Sequence, residues 1–196
     1  MNKRTVLAAL AAGTGMFIWS SIAHDALPLG RVGIREIPSE AALLGGMTST
    51  LGTASGLYLF PAMDQQPGSG MSETMERYAK KLAVNPSGLL IYHAPGARPI
   101  TPGQLVTEFL TELLETFLAV VLLARSRAEG FAARAGFVTL IGIVAAIATN
   151  IPYWNWYGFP ASYTAAYAGI QVVGFLVAGM IAAALLKGPA AGARTA

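Results

Sequence analysis

The sequence predicts an all-α membrane protein of four transmembrane helices, with a partly ordered outer segment between the first and the second. Three observations predict it. The chain is 54% hydrophobic and only 12% charged, about half the charged share of a soluble domain. Its apolar residues gather in four stretches of membrane-crossing length. Its basic residues collect at the ends of those stretches on one side. A protein of 196 residues has too much surface to cover with so few charges, so the apolar excess faces lipid.

The first span is predicted over 6–24, behind the basic start Met1-Asn2-Lys3-Arg4. A secretory signal peptide opens in the same way, and Ser21-Ile22-Ala23 has the small-residue character of a cleavage site. The length of the apolar run and Trp19 near its outer end favour an uncleaved span. The second span is predicted over 104–124. Thr101-Pro102-Gly103-Gln104 reads as its start: Thr101 caps, Pro102 takes the first helical position, and Gln104 completes a capping box. Arg125, Ser126 and Arg127 stop it. The third span is predicted over 131–151, ended by Pro152, with Tyr153, Trp154, Trp156, Tyr157 and Phe159 following as an aromatic belt at the membrane surface. The fourth is predicted over 161–186, after Pro160 and closed by Lys187-Gly188-Pro189. The whole chain, 1–196, reads as one membrane domain.

Charge placement gives the orientation. The N-terminus, the 125–134 turn and the C-terminal tail carry Lys3, Arg4, Arg125, Arg127, Arg134, Lys187 and Arg194 against a single acid, Glu129. The segment 25–103 balances six bases (Arg31, Arg35, Arg77, Lys80, Lys81, Arg98) with six acids (Asp25, Glu36, Glu40, Asp64, Glu73, Glu76). Bases near span ends mark the cytoplasmic side. Both termini are therefore expected inside and 25–103 outside. The net charge of +3 is topological information; no basic stripe with interleaved aromatics points to nucleic acid. The chain has no cysteine. That excludes disulfides, thiolate metal sites, cysteine nucleophiles and covalent c-type haem attachment.

The outer segment is too long for a plain connection. Pro38-Ser39-Glu40 predicts a helix start leading through Leu44 and Met47. Gly56-Leu57-Tyr58-Leu59-Phe60-Pro61 predicts a strand or an interfacial stretch, and residues 66–70 a loop. Ser72 is expected to cap a short helix through Leu82, with Glu73 and Glu76 early and Lys80 and Lys81 late, as the helix dipole favours. Leu89-Leu90-Ile91-Tyr92 is a further apolar run. These pieces are expected to cap the outer face of the bundle.

Glu108, Glu112 and Glu115 lie on the second span at i, i+4 and i+7, within an arc of about 60° on one helix face. Counting back from Ala124 puts Glu115 about 15 Å below the outer boundary, near mid-membrane. An ionisable group at that depth marks a functional site, because burying it costs a few kcal/mol. The bland reading is interhelical glue. Depth matching gives Thr14 and Gln171 as neighbours at the Glu115 level, and His24, Asp25, Asn150 and Tyr163 nearer the rim. Tyr163, Tyr167, Gln171 and Gly174 share one face of the fourth span, and that face is expected to meet the glutamates. His24 with Glu108 and Glu112 offers ligand types that suit zinc, iron or manganese, without any recognised ligand spacing. His93 reads as a surface or packing residue. Small-residue pairs (Ala9 with Gly13, Ala11 with Gly15, Gly142 with Ala146, and Ala161, Ala165, Gly169) allow close helix approach. Trp154, Trp156, Tyr157 and Phe159 read either as an interfacial anchor or as a platform for a partner subunit, a quinone or a pigment.

Two stretches, Asn85-Pro86-Ser87-Gly88-Leu89-Leu90-Ile91-Tyr92-His93 followed by Thr101-Pro102-Gly103-Gln104-Leu105, and Trp156-Tyr157-Gly158-Phe159-Pro160, resemble a family of small four-helix bacterial inner-membrane proteins of no assigned function. The resemblance implies a bacterial inner membrane and no chemistry. Three functions compete. The first is a non-catalytic accessory subunit of a larger membrane complex. The second is a proton, ion or solute pathway along the glutamate face, to which a homodimer could contribute. The third is a metal-dependent membrane enzyme. No phosphate-cradling loop, nucleophile elbow or facing pair of haem-ligand histidines is present.

Overall fold

The computed structural model describes residues 2–186. Lys187, Gly188 and Pro189, expected to close the last span, and Arg194, counted in the charge balance, lie outside the described residues. The element order is α1 (Lys3–Ser21), a π turn (Ile22–Ala26), a 3-10 turn (Leu29–Arg31), α2 (Ala41–Leu51), β1 (Gly56–Phe60), α3 (Met71–Val84), β2 (Gly88–Tyr92), α4 (Pro102–Arg125), α5 (Phe131–Tyr157) and α6 (Ala161–Leu185). Three helical stretches are long and apolar enough to cross a membrane: Lys3–Ala26, Phe131–Tyr157 and Ala161–Leu185. They suggest membrane association. At 24 residues α4 is as long as these, and its three glutamates set it apart from them in composition.

The chain divides into two compact units, where the sequence reading has one. The first is built from the chain up to Ile34 and from Ile100 on, and the second is Arg35–Pro99. In the second unit, β1 and β2 pair antiparallel with Gly56 opposite Tyr92 and Phe60 opposite Gly88. The Tyr92 hydroxyl donates to the Gly52 carbonyl at 2.8 Å. The helix expected from Pro38 begins at Ala41. The helix expected to be capped by Ser72 begins at Met71, with Gly70 at its N-cap and no side-chain cap. Its charges pair along the helix as Glu73 with Arg77 at 2.7 Å and Glu76 with Lys80 at 2.8 Å. The Lys80 ammonium lowers the pKa of Glu76. This fully exposed pair therefore supports the helix at neutral pH and stops doing so as the pH falls and the carboxylate protonates.

The first unit is an antiparallel bundle of α1, α4, α5 and α6. The capping box at Thr101 forms: Thr101 N donates to Gln104 Oε1 at 2.8 Å, and Gln104 N donates to Thr101 Oγ1 at 3.3 Å. Pro152 was expected to end α5. The helix instead continues through it for another turn, to Tyr157. Proline removes one N–H donor, and the helix ends where Gly158 adopts a left-handed conformation, φ 70°, that glycine takes without strain. Tyr153, Trp154, Trp156 and Tyr157, expected to follow the span, are therefore residues of α5 itself.

Packing differs between the two ends of the bundle. At the end carrying Asn2 and the 126–130 turn, Ala8, Ala12, Val120, Leu123, Val138, Ala178 and Ala182 make one buried cluster. Small residues permit that closeness. A Cβ on Gly13 would meet Thr116 Oγ1 at 2.6 Å and the Leu113 Cα at 2.9 Å, and one on Gly179 would meet the Ala135 carbonyl at 2.8 Å. Arg4 and Arg134 donate to the last carbonyls of α6, at Leu185 (2.7 Å) and Leu186 (2.6 Å), which satisfies groups that a helix end leaves open. The stripe Ala161, Ala165, Gly169 has no such role: all three are exposed. At the other end the helices part. α1 packs along both α4 and α6, α5 packs along α6, and α4 scarcely touches α5 or α6.

Gly142 on α5 carries a testable consequence. A Cβ there would run into the Phe175 side chain, which is itself buried. Gly142→Ala is expected to destabilise the detergent-solubilised protein by about 1–3 kcal/mol, the cost of overpacking. Gly136→Ala, where a Cβ meets nothing within 4 Å, should leave the thermal midpoint unchanged or slightly raised.

Candidate functional site

Where α4 stands off from α5 and α6, a cavity of about 220 Å³ opens. Four helices and the π turn supply its lining. α4 contributes Glu108, Thr111, Glu112 and Glu115. α1 contributes Met16, Trp19 and Ser20, and the π turn contributes His24. Thr149 and Asn150 come from α5, and Tyr167, Ile170, Gln171 and Gly174 from α6. No lysine or arginine is among them.

The glutamates differ in environment. Glu108 is exposed, Glu115 is partly covered, and Glu112 is buried at 5% exposure. One carboxylate oxygen of Glu112, Oε2, is buried without a hydrogen-bond partner. None of the three takes part in a salt bridge among the described residues, where the ion pairs all lie on α3 and its neighbouring loop. A buried carboxylate without compensation is costly. Thr116, one turn on, donates to the Glu112 backbone carbonyl at 2.7 Å, a bond within α4 that leaves the carboxyl group untouched. Thr116 is fully buried where Gly13 of α1 closes on α4.

The opposite wall is held by hydrogen bonds. Trp19 Nε1 donates to the Ile170 carbonyl at 2.8 Å, locking the indole across α1 and α6. Asn150 Nδ2 donates to Gln171 Oε1 at 3.3 Å and to the Ala146 carbonyl at 2.9 Å. The Tyr167 hydroxyl donates to the Gly30 carbonyl at 3.2 Å. His24 sits in the π turn, whose i to i+5 bond runs from Leu27 N to the Ile22 carbonyl at 2.9 Å. Such turns are frequent at functional sites because they redirect side chains. His24 Nδ1 lies 2.9 Å from the Ser20 carbonyl. A carbonyl only accepts, so Nδ1 carries the proton, and in the neutral ring Nε2 is left as an acceptor. Gly30 packs directly on this imidazole and leaves no room for a side chain of its own.

The aromatic residues form a continuous series. Tyr157 meets Tyr153 at 5.7 Å between ring centroids, Tyr153 meets Phe159 at 5.4 Å, and Phe159 meets Tyr163 at 5.3 Å. Tyr163 stacks on Tyr167 at 4.2 Å, and Tyr167 meets His24 edge-on at 5.8 Å. Trp154 and Trp156 lie outside this series and are 47% and 78% exposed.

Of the residues the sequence singles out, the cavity brings together Glu108, Glu112, Glu115, His24, Asn150, Tyr167, Gln171 and Gly174. Tyr163 stands behind Tyr167 rather than in the lining. Asp25 is also outside it. Thr14, expected at the Glu115 level, faces out and donates to the Leu10 carbonyl at 2.9 Å; the helix phase of α1 puts Met16, Trp19 and Ser20 there instead. His93 is exposed in the second unit. Among the described residues no three His, Asp or Glu side chains stand close enough to hold a metal ion. Trp19, Ser20 and Thr149 were not legible as site residues. In the sequence Trp19 marks only the outer end of the first span, and its bond to the Ile170 carbonyl shows it turned inward.

The unpartnered Glu112 oxygen makes a direct prediction. Glu112→Gln keeps the shape and removes the charge, so it is expected to raise stability in detergent by on the order of 1 kcal/mol. A clear fall in the thermal midpoint would mean that the carboxylate is paired in the folded protein.

Comparison of the chain with protein-family models, with curated proteins and with solved structures gives no match. The functional reading therefore rests on the geometry of the cavity itself.

Proposed function

We propose that this chain is a four-span membrane protein that binds a positively charged solute in the carboxylate cavity, as the binding step of an ion or solute pathway. The observation that carries the reading is Glu112: a buried carboxylate oxygen without a partner, in a cavity with two further glutamates and no lysine or arginine. A cation is the ligand that such a lining favours.

The fourth span in this reading is α4. Hydropathy alone passes over it because of the glutamates. Its outer face answers that objection, since Val106, Leu110, Leu114, Leu118 and Leu122 are all exposed and repeat every four residues along one stripe. The stripe runs for seventeen residues, a rise of about 24 Å, most of a hydrocarbon core of about 30 Å. Glu108 and Glu112 lie opposite the neighbouring stripe residues, and Glu115 to one side. Lipid on the leucine stripe and protein on the glutamate face is the arrangement expected of intramembrane carboxylates. The basic residues Arg4, Arg125, Arg127 and Arg134 support a cytoplasmic side for the termini and the 126–130 turn, and so the outer side of a bacterial inner membrane for Arg35–Pro99.

The accessory-subunit reading keeps one supporting observation, the exposed rings of Trp154 and Trp156, which an adjoining subunit or the lipid headgroups would cover equally well. Native mass spectrometry after gentle extraction separates the two: co-migrating subunits favour the accessory role.

Two measurements test the main proposal. The chain has no cysteine, so single replacements label cleanly. Ser87→Cys is expected to react with an impermeant maleimide from outside intact cells, and Glu129→Cys only after the membrane is opened. The reverse pattern would overturn the topology. Against a panel of inorganic and organic cations, at least one is expected to raise the thermal midpoint of the purified protein. A ligand at a hundred times its Kd stabilises by about 2.7 kcal/mol. A flat response across the panel would remove the cation-site reading.

A further inference from the structure

We infer that the cavity is shaped for a small organic ammonium ion, an alkyl- or arylamine in its protonated form, in preference to a bare proton or a metal ion. The inference rests on the cation-site reading and narrows it to a ligand class.

Volume is the first argument. A cavity of about 220 Å³ is far larger than a proton relay needs, yet smaller than the pockets of about 300–1,000 Å³ that take drug-sized ligands. It suits a molecule of a few heavy atoms. The lining is the second. It is mixed: carboxylates of α4 on one wall, and on the other the apolar surface of Met16, Trp19, Tyr167 and Ile170 beside the polar side chains of Ser20, His24, Thr149, Asn150 and Gln171. A metal ion has no use for the apolar wall, and no three ligating side chains converge among the described residues. An amine uses both walls. Its ammonium group donates to Glu112 Oε2 and its neighbours, while its carbon skeleton lies on the indole and phenol rings, which also attract the cation through their π faces.

Rigidity is the third argument. Both rings are fixed before any ligand arrives, Trp19 by its bond to the Ile170 carbonyl and Tyr167 by its bond to the Gly30 carbonyl and by stacking on Tyr163. A wall held in this way loses little freedom on binding.

The test uses the full-length protein in detergent. The chain has three tryptophans, so replacing Trp154 and Trp156 by Phe leaves Trp19 as the sole indole reporter. Titration with phenethylammonium is expected to change its fluorescence saturably. Phenethyl alcohol, close in shape but uncharged, should bind at least tenfold more weakly, since its hydroxyl donates only a neutral hydrogen bond where the ammonium group forms a charge-assisted one. Glu112→Gln should weaken phenethylammonium at least tenfold with the fold intact. Glu115→Gln serves where Glu112→Gln lowers the yield of folded protein. Isothermal titration of Trp19→Leu should show a similar loss, while Trp156→Phe alone changes nothing. If sodium, zinc or protons shift stability through Glu112 and neither phenethylammonium nor tetraethylammonium binds, the organic-amine inference fails and the cation-site reading stands. If no cation of any kind acts through Glu112, both fail. Equal binding of the alcohol and the amine would show an apolar pocket and would also overturn the inference.

Discussion

The arrangement of this protein turns on one constraint, the burial of the Glu112 carboxyl group inside a helical bundle. An apolar bundle would close around a leucine at that position. With a carboxylate there, close packing against α5 and α6 would bury a charge with nothing to compensate it, at a cost that few local hydrogen bonds offset. The bundle instead opens on that side. α4 keeps its contact with α1 through Gly13 and Thr116, stands away from α5 and α6, and leaves a cavity whose other walls are lined by Asn150, Gln171 and Tyr167. The space lies beside that carboxyl group.

The opposite end of the bundle makes that opening tolerable. There, alanine and glycine bring the helix backbones together, and Val120, Val138, Phe175 and Ala178 fill the interior. In the proposed membrane setting there is no hydrophobic drive between helices, and close van der Waals contact would carry the association. One end supplies the packing that holds the helices at a fixed spacing, and the other can then remain parted without the bundle coming apart. The division also explains why the α4 glutamates begin only above Thr116: below it, Ala119, Val120 and Leu123 belong to the packed half.

Much of this was readable from the sequence, and the failures have physical causes. The capping box at Thr101 was legible because it is local: the residues that form it are three apart and need no tertiary partner. The shared face of Glu108, Glu112 and Glu115 was legible because helical periodicity is itself local. Gln171, Tyr167 and Asn150 could be placed near them by depth alone, since antiparallel helices of known length fix which residues lie level. Rotation about a helix axis is different. It depends on which neighbours pack where, so Thr14 was put in the site and Met16, Trp19 and Ser20 were missed. The π turn at Ile22–Ala26 has no sequence signature, and it alone decides where His24 points. Pro152 misled for a related reason: a proline near a helix end costs one hydrogen bond, and the glycine that follows six residues later sets the actual terminus.

The cavity also bears on how strongly a ligand could be held. In most sites a charged group must shed water when its partner arrives, and that desolvation consumes much of the electrostatic gain. Here the Glu112 oxygen is buried before any ligand is present, so folding has already met the desolvation cost, through the contacts at the packed end of the bundle. What remains for an incoming cation is its own desolvation, set against pairing with Glu112 and contact with rings already fixed in place. A small amine sheds less hydration than a divalent metal ion and recovers part of it on the apolar wall. The same balance limits the ligand from the other side. A neutral molecule of the same size would offer Glu112 at most an uncharged hydrogen bond, weaker than the charge-assisted bond of an ammonium group. In the proposed reading, selectivity for a charged amine over its neutral analogue would follow from that difference.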